Sequence, residues 1–337
     1  MTKDPTNNDP TNNDPANNDP TSNDPTNVYA NGQAAREEGF TSSREIHLEA
    51  SFLDNLARRR VQAKVFALAI QLATCMALLA LGILVWRIGS QGLPYLNWNF
   101  ITSFPSRKAE RAGILSALVG SATIIFMTTI FAVILGVSTA VYLEEIASKN
   151  KFAKFLELNI ANLSGVPSLV YGMLGLAVFV RIFDFGRSLL AASCTLALMV
   201  LPIIIIASRE ALRTVPPSTR LAAAALGATP WQTTYHHTLP AAMPGVLTGI
   251  ILAISRALGE AAPLIIVGGV TYIAFLPTRL TDSFTTLPIQ IFNWAGRPQE
   301  EFQSLAAAAI IVLVGLVLVT NGIAIFIRTK LENKNRW

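Results

Sequence analysis

Charge is scarce in this 337-residue chain: 14% of its residues are Asp, Glu, Lys or Arg, where soluble domains carry about 25%. Beside 52% hydrophobic residues, that shortage excludes an ordinary water-soluble domain and points to a membrane protein. Cysteine is nearly absent. Cys75 and Cys194 are the only two, each inside an apolar run, which leaves no disulfide framework or thiolate metal site. The three histidines, His47, His236 and His237, have no thiol or carboxylate companions at ligand spacing. Metal chemistry is therefore set aside, and no cofactor is expected. No glycine is followed by lysine, so there is no G-x-x-x-x-G-K-[ST] phosphate loop to bind ATP. No Ser/His/Asp or Cys/His arrangement sits near a plausible pocket, which argues against an enzyme. The net charge of +5 is not gathered into a basic cluster with interleaved aromatics, so nucleic acid is not an expected partner.

The first 27 residues repeat a five-residue unit, D-P-T-N-N with small variations. Such a stretch buries too little apolar surface to offset chain entropy, so residues 1–50 are expected to be a disordered polar tail. With neither a basic start nor an apolar core, it is no signal peptide. A short amphipathic stretch over 46–56 is expected to lie on the membrane surface.

Long apolar segments then follow. A membrane span needs about 20 such residues, and six segments meet that length: 65–86, 114–142, 156–179, 189–207, 241–267 and 305–327. The fold class expected is an all-α polytopic membrane protein with six transmembrane helices. One set of connecting segments holds Arg58, Arg59, Arg60, Lys64, Lys149, Lys151, Lys154, Arg209, Arg213, Arg220, Arg328, Lys330, Lys334 and Arg336. The opposite set holds Arg87, Arg107, Lys108, Arg111, Arg181, Arg187, Arg279 and Arg297. The positive-inside rule puts the richer set, both termini and the 209–240 loop in the cytoplasm. Helix breakers fall in three spans: Gly165-Val166-Pro167 in the third, Pro202 in the fourth and Pro263 in the fifth. Neighbouring helices or a water-lined path must satisfy the backbone they free.

Two features carry functional information. Between Arg209 and Pro240 lies a polar interruption too long for a tight turn. Pro216-Pro217 with Ser218 or Thr219 can open a short helix there, and Gly227 can close it. Thr229 reads as the N-cap of a second helix with Pro230 at its first position. Two short helices between spans suggest a surface for docking another protein. The second feature is Arg256 with Glu260 in the fifth span. Four residues apart on one helix, they would share a face. Each costs about 2.5–3.5 kcal/mol near a helix centre, so neither should face lipid. Either they pair to hold helices together, or Arg256 meets an anionic substrate and Glu260 orients its guanidinium fork.

The loop resembles the cytoplasmic signature of ABC-importer permeases, E-A-A, three residues, G, nine residues, I-x-L-P. Ala222, Ala223, Gly227, Leu239 and Pro240 match; Leu221 stands for the acid and His237 for the isoleucine. Further blocks resemble the phosphate-specific, PstA-type branch: R-A-G-I-L-S-A-L-V-G-S at 111–121, Y-L-E-E at 142–145, and N-L-S-G-V-P-S-L-V-Y-G at 162–172. A-L-G-A-T-P-W-Q-T at 225–233, S-R-A-L-G-E-A-A-P-L at 255–264 and S-F-T-T-L-P-I-Q-I-F at 283–292 complete them. The resemblance covers about 60–331, a permease domain with type I ABC-importer architecture. It implies a bacterial inner-membrane location and an inorganic phosphate cargo. It also implies a PstC-type partner permease, two cytoplasmic ATPase subunits and an external phosphate-binding protein. Residues Leu221, Ala222, Ala223, Gly227, Leu239 and Pro240 would then belong to the ATPase-coupling loop, and Arg256 with Glu260 to the substrate path. The open alternatives are the same fold serving sulfate or molybdate, and an ion-coupled secondary carrier. Deleting residues 1–40 is expected to leave uptake and protein level unchanged, because a Pro/Asn repeat buries nothing. Transport per unit of membrane-inserted protein checks this, and a large drop would show that the repeat binds something.

Overall fold

The computed structural model describes residues 59–60, 62–147, 151–270 and 272–334, with side chains as far as Leu331. The N-terminal repeat and the 46–56 stretch lie outside the described residues. The described residues are helical, with no β-strand among them. In chain order the helices are α1 (Gln62–Tyr95), α2 (Trp98–Thr102), α3 (Leu115–Val141) and α4 (Lys151–Ser164). Next come α5 (Ser168–Gly175), α6 (Leu189–Arg213), α7 (Pro217–Ala225) and α8 (Pro230–Thr233). The last four are α9 (Leu239–Leu258), α10 (Ala262–Val267), α11 (Leu287–Ala295) and α12 (Glu300–Lys334). Wide π turns extend α3 (Tyr142–Ile146), α5 (Leu176–Ile182) and α8 (Thr234–Thr238).

Among the described residues, five helical stretches are long and apolar enough to cross a membrane: Gln62–Tyr95, Leu115–Ile146, Leu189–Arg213, Pro230–Leu258 and Glu300–Leu331. The third expected span is not straight. It is two helices, Lys151–Ser164 and Ser168–Ile182, meeting at 108°. Pro167 explains the break, because it has no N–H to continue α4 and instead caps α5 with φ −57° and ψ 141°. Pro202 behaves differently: it is buried inside α6, which runs through it unbroken. The fifth expected span also divides, since α9 stops at Leu258 and α10 starts at Ala262. Pro263 cannot donate to the Gly259 carbonyl, so continuous helix is interdicted just there.

The chain divides into two units between Ala80 and Leu81. In the first, the described part of α1 is exposed at every position, as suits a lipid-facing helix. In the second, α3, α5, α6, α9 and α10 share one apolar core that includes Ile124, Leu196, Ile204, Val246 and Leu264. A second core joins α2, α11 and α12 around Trp294, whose ring lies 6.1 Å from Phe100 and 6.3 Å from Phe302.

Helices α6 and α9 approach closest through small residues. A Cβ on Gly245 would lie 2.7 Å from the Ala211 Cβ, and one on Gly249 would overlap the Ala207 Cβ. This is the small-x-x-x-small pattern by which membrane helices bring their backbones together. Gly249→Ala is therefore expected to destabilise the protein by about 1–3 kcal/mol through overpacking. Adding Ala207→Gly should recover most of that loss, as read by thermal unfolding in detergent; an undisturbed single variant would refute the contact.

Candidate docking loop and intramembrane charge site

The 209–240 loop folds by local rules. Pro216 caps α7, and Pro217 occupies its first turn, where a missing N–H costs nothing. The expected caps Ser218 and Thr219 lie inside the helix. At the far end Gly227 takes φ +82°. Its N–H donates to Ala224 O at 2.9 Å, and Ala228 N–H donates to Ala223 O at 3.1 Å. Together these form the Schellman closure, which satisfies two end carbonyls of α7. Thr229 then caps α8 reciprocally: Gln232 N–H donates to Thr229 Oγ1 at 3.3 Å, while Thr229 N–H donates to Gln232 Oε1 at 2.9 Å.

The six loop residues singled out from sequence do not all face the same way. Leu221, Ala222 and Gly227 are exposed, whereas Ala223 is buried beneath α7. Leu239 and Pro240 are half-buried at the start of α9, where they set the helix entry and do not present a surface. Beside Leu221, the outer face presents Leu226, Trp231 and Tyr235, which sequence reading missed. Leu221 is 70% exposed, Leu226 90%, Trp231 61% and Tyr235 58%. The rings of Trp231 and Tyr235 stack 6.4 Å apart. No Asp, Glu, Lys or Arg occurs from Leu221 to Pro240. Exposed apolar patches of this kind occur at protein–protein contacts, at membrane contacts and in ligand grooves.

Behind that face is a charged network that sequence reading also missed. The π turn after α3 presents Glu144 and Glu145 in different directions. Glu145 accepts from Arg220 Nη2 at 2.6 Å and Nε at 3.1 Å. Glu144 accepts from Arg209 at 3.3 Å and from Arg213 at 3.0 Å. Arg209 also reaches Glu157 of α4 at 2.5 Å. Arg220 further donates to the Val215 and Leu212 carbonyls at 2.9 and 3.0 Å. The Glu145 hydrogen bonds push the Arg220 guanidinium above its ordinary pKa, so it stays charged at any working pH. In the sequence, Y-L-E-E carried only resemblance and the arginines only topology. The pairing spans 65 to 75 residues of chain, beyond any local pattern.

The structure revises the expected intramembrane pair. Arg256 lies in the last turn of α9, but Glu260 lies beyond the Gly259 cap, in the break before α10. They are not one turn apart on a single helix face, and no ion pair joins them among the described residues. Arg256 is exposed and Glu260 half-buried. Arg256 stands within electrostatic reach of Tyr171, whose hydroxyl donates to Leu163 O at 2.7 Å. Glu260 borders a small cavity with Ser121, Leu196, Thr286 and Pro288. The Thr286 hydroxyl is buried there without a hydrogen-bond partner among the described residues, and that of the preceding Thr285 is buried and unpaired as well. Such groups are costly unless something pairs with them. Four separated sequence blocks meet at this place. Gly120 packs on the Thr285 carbonyl, Ser121 Oγ accepts from Leu287 N–H at 2.8 Å, and Gly172 packs on Pro263. Among the described residues no three His, Cys, Asp or Glu gather to hold a metal.

Comparison with known proteins gives a consistent result. Residues 132–332 match the family described as binding-protein-dependent transport system inner membrane component. The phosphate transport system permease protein PstA of Yersinia pestis is 33% identical over 269 residues, covering 79% of this chain and 90% of that protein. The probable ABC transporter permease protein YqgI of Bacillus subtilis (strain 168) is 32% identical over 255 residues, covering 72% and 87%. Among solved structures, a chain of a bacterial alginate ABC transporter aligns at 16% identity with TM-score 0.58, covering 79% of this chain and 94% of that one. A chain of the MetNI methionine ABC transporter, in an inward-facing conformation, aligns at 19% identity with TM-score 0.55, covering 65% and 95%.

At Gly227 a Cβ would meet nothing within 4 Å, so any penalty there is conformational. A left-handed residue other than glycine costs about 1–2 kcal/mol, more for a β-branched one and less for asparagine. Gly227→Val is expected to leave the spans inserted, weaken attachment of the ATP-hydrolysing partner that the resemblance implies, and abolish transport. Gly227→Asn should keep both. Normal uptake with valine would refute the docking role of the turn.

Proposed function

Because this chain belongs to the family of binding-protein-dependent transport inner membrane components and is the permease subunit of an ABC importer, we propose that it carries inorganic phosphate. The observation that carries the reading is the match to phosphate permeases along most of the chain. The convergence of the 111–121, 162–172, 255–264 and 283–292 blocks around Glu260 and Thr286 supports it. Family membership makes the chain a transport subunit and sets aside the secondary carrier. ATP hydrolysis is assigned to separate subunits.

In this reading both termini and the 209–240 loop face the cytoplasm, in a bacterial inner membrane. A PstC-type permease completes the pathway, an external binding protein delivers phosphate, and two ATPase subunits seat against α7 and α8. ATP-driven closure of the ATPase pair displaces those helices, and the spans turn so that the cargo opens inward. Arg256 meets the anion with a planar fork suited to a phosphoryl oxygen pair. Glu260, unpaired with it, keeps the path from holding a dianion too tightly. The uncharged 221–240 face fits an apolar groove on the ATPase.

Since Arg256 has no carboxylate partner among the described residues, Arg256→Gln strands no paired carboxylate. The complete transporter carrying it is expected to assemble in liposomes yet lose phosphate uptake by about tenfold or more, the cost of one charge-assisted anion contact. Arg256→Lys should recover part of the rate. Unchanged uptake with glutamine would overturn the role of Arg256. Sulfate or molybdate stimulating ATP hydrolysis in place of phosphate would overturn the cargo.

A further inference from the structure

Helix α7 is weakly held by apolar contacts, since Ala223 is its one buried residue. Its firm attachment to the rest of the molecule is Arg220. That side chain turns inward and makes four hydrogen bonds: two to Glu145 and one each to the Leu212 and Val215 carbonyls. The two carbonyls belong to the last turn and C-terminal exit of α6, where a cation is favoured by the helix end. Glu145, with a side chain only 7% exposed, belongs to the π turn that ends α3. One guanidinium thus ties the loop helix to the ends of two spans.

We propose that the Glu145–Arg220 bridge is the joint through which displacement of α7 is delivered to α3. The two residues are positioning residues and touch no substrate. A bidentate fork fixes direction as well as distance, so it transmits rotation and push where a single point contact would swivel. The neighbouring Glu144–Arg209–Glu157 and Glu144–Arg213 contacts join α3, α6 and α4 directly, so the motion reaching α3 is shared by the bundle end. Wide π turns are frequent at functional sites, and this one carries Glu144 and Glu145 at the end of α3. The inference rests on the reading of 209–240 as the ATPase-docking loop.

The test uses the full transporter in liposomes with its binding protein, and reads ATPase co-purification, ATP hydrolysis and phosphate taken up per ATP. Arg220→Lys keeps the charge but loses the fork. It is expected to retain the ATPase and its hydrolysis while uptake per ATP falls about fivefold or more, the scale of a typical coupling energy. The pair Glu145→Gln with Arg220→Gln removes both charges, so no buried carboxylate is stranded. It should assemble and remain uncoupled. Glu210→Gln, at an exposed residue paired only with Arg213, should leave uptake per ATP at the wild-type value. Restored coupling in the double glutamine variant would overturn the proposal, because the bridge would then only neutralise charge. Loss of the ATPase from that variant would also overturn it, because the bridge would then hold the loop and not transmit through it. The docking reading fails separately, if Leu226→Asp on the outer face leaves ATPase attachment intact.

Discussion

Backbone pairing inside hydrocarbon is the constraint on which the rest of this structure depends. Lipid offers no partner for an N–H or C=O, so each must be satisfied by the protein. Regular helix does this automatically, and a break is tolerated only where the fold supplies a substitute. Two breaks interrupt the apolar segments, after Ser164 and after Leu258. At the first, the Tyr171 hydroxyl takes up the Leu163 carbonyl at the end of α4. At the second, the Gly259 and Glu260 N–H groups return to Arg256 and Ala257. The two breaks also lie together, with Gly172 against Pro263. Irregular backbone, Glu260 and the unpaired Thr286 hydroxyl therefore lie in one region, with Arg256 in the last turn of α9 leading into it. An anion path needs such a collection of polar groups, and regular apolar helix cannot provide it.

The regular helices serve a mechanical purpose. Small residues at Ala207, Ala211, Gly245 and Gly249 bring α6 and α9 into backbone contact. Close packing has low compressibility, so motion applied at one end of such a pair arrives at the other. The α9 end of the pair carries Arg256, and the α6 end carries Arg209 and Arg213 in the charged network. The 209–240 loop and Arg256 thus lie at opposite ends of one closely packed helix pair.

What was legible in the sequence follows from the range of each interaction. The two loop helices could be read because their signals are local: Gly227 for the left-handed turn, Thr229 with Gln232 for the reciprocal cap. The spans could be read because each is a continuous apolar run, including α6 despite Pro202. The Arg256–Glu260 geometry was misread because four-residue spacing assumes unbroken helix, and Pro263 ends that assumption three residues after Glu260. The 108° bend after Ser164 had a visible cause in Pro167 but no visible angle, since angle is set by what α5 packs against. The bridges from Glu144 and Glu145 to the arginines of α6 and α7 were not legible at all. Nothing near Y-L-E-E specifies partners 65 or more residues away, and the same arginines serve a topology rule equally well.

The loop's two faces divide affinity from orientation. On the proposed reading of 209–240 as a docking loop, its outer face, with Leu221, Leu226, Trp231 and Tyr235 and no formal charge, would gain attachment from buried area, which is non-directional. Area alone would let a docked partner tilt or slide. Direction must then come from the mounting, and all of the directional chemistry is on the inner face, in the forked Arg220 contact and the Arg209–Glu144 cluster behind it. Reversing that arrangement would put salt-screened, exposed ion pairs at the moving interface, where they contribute little. Placed behind the loop and partly buried, the same charges are screened less by salt.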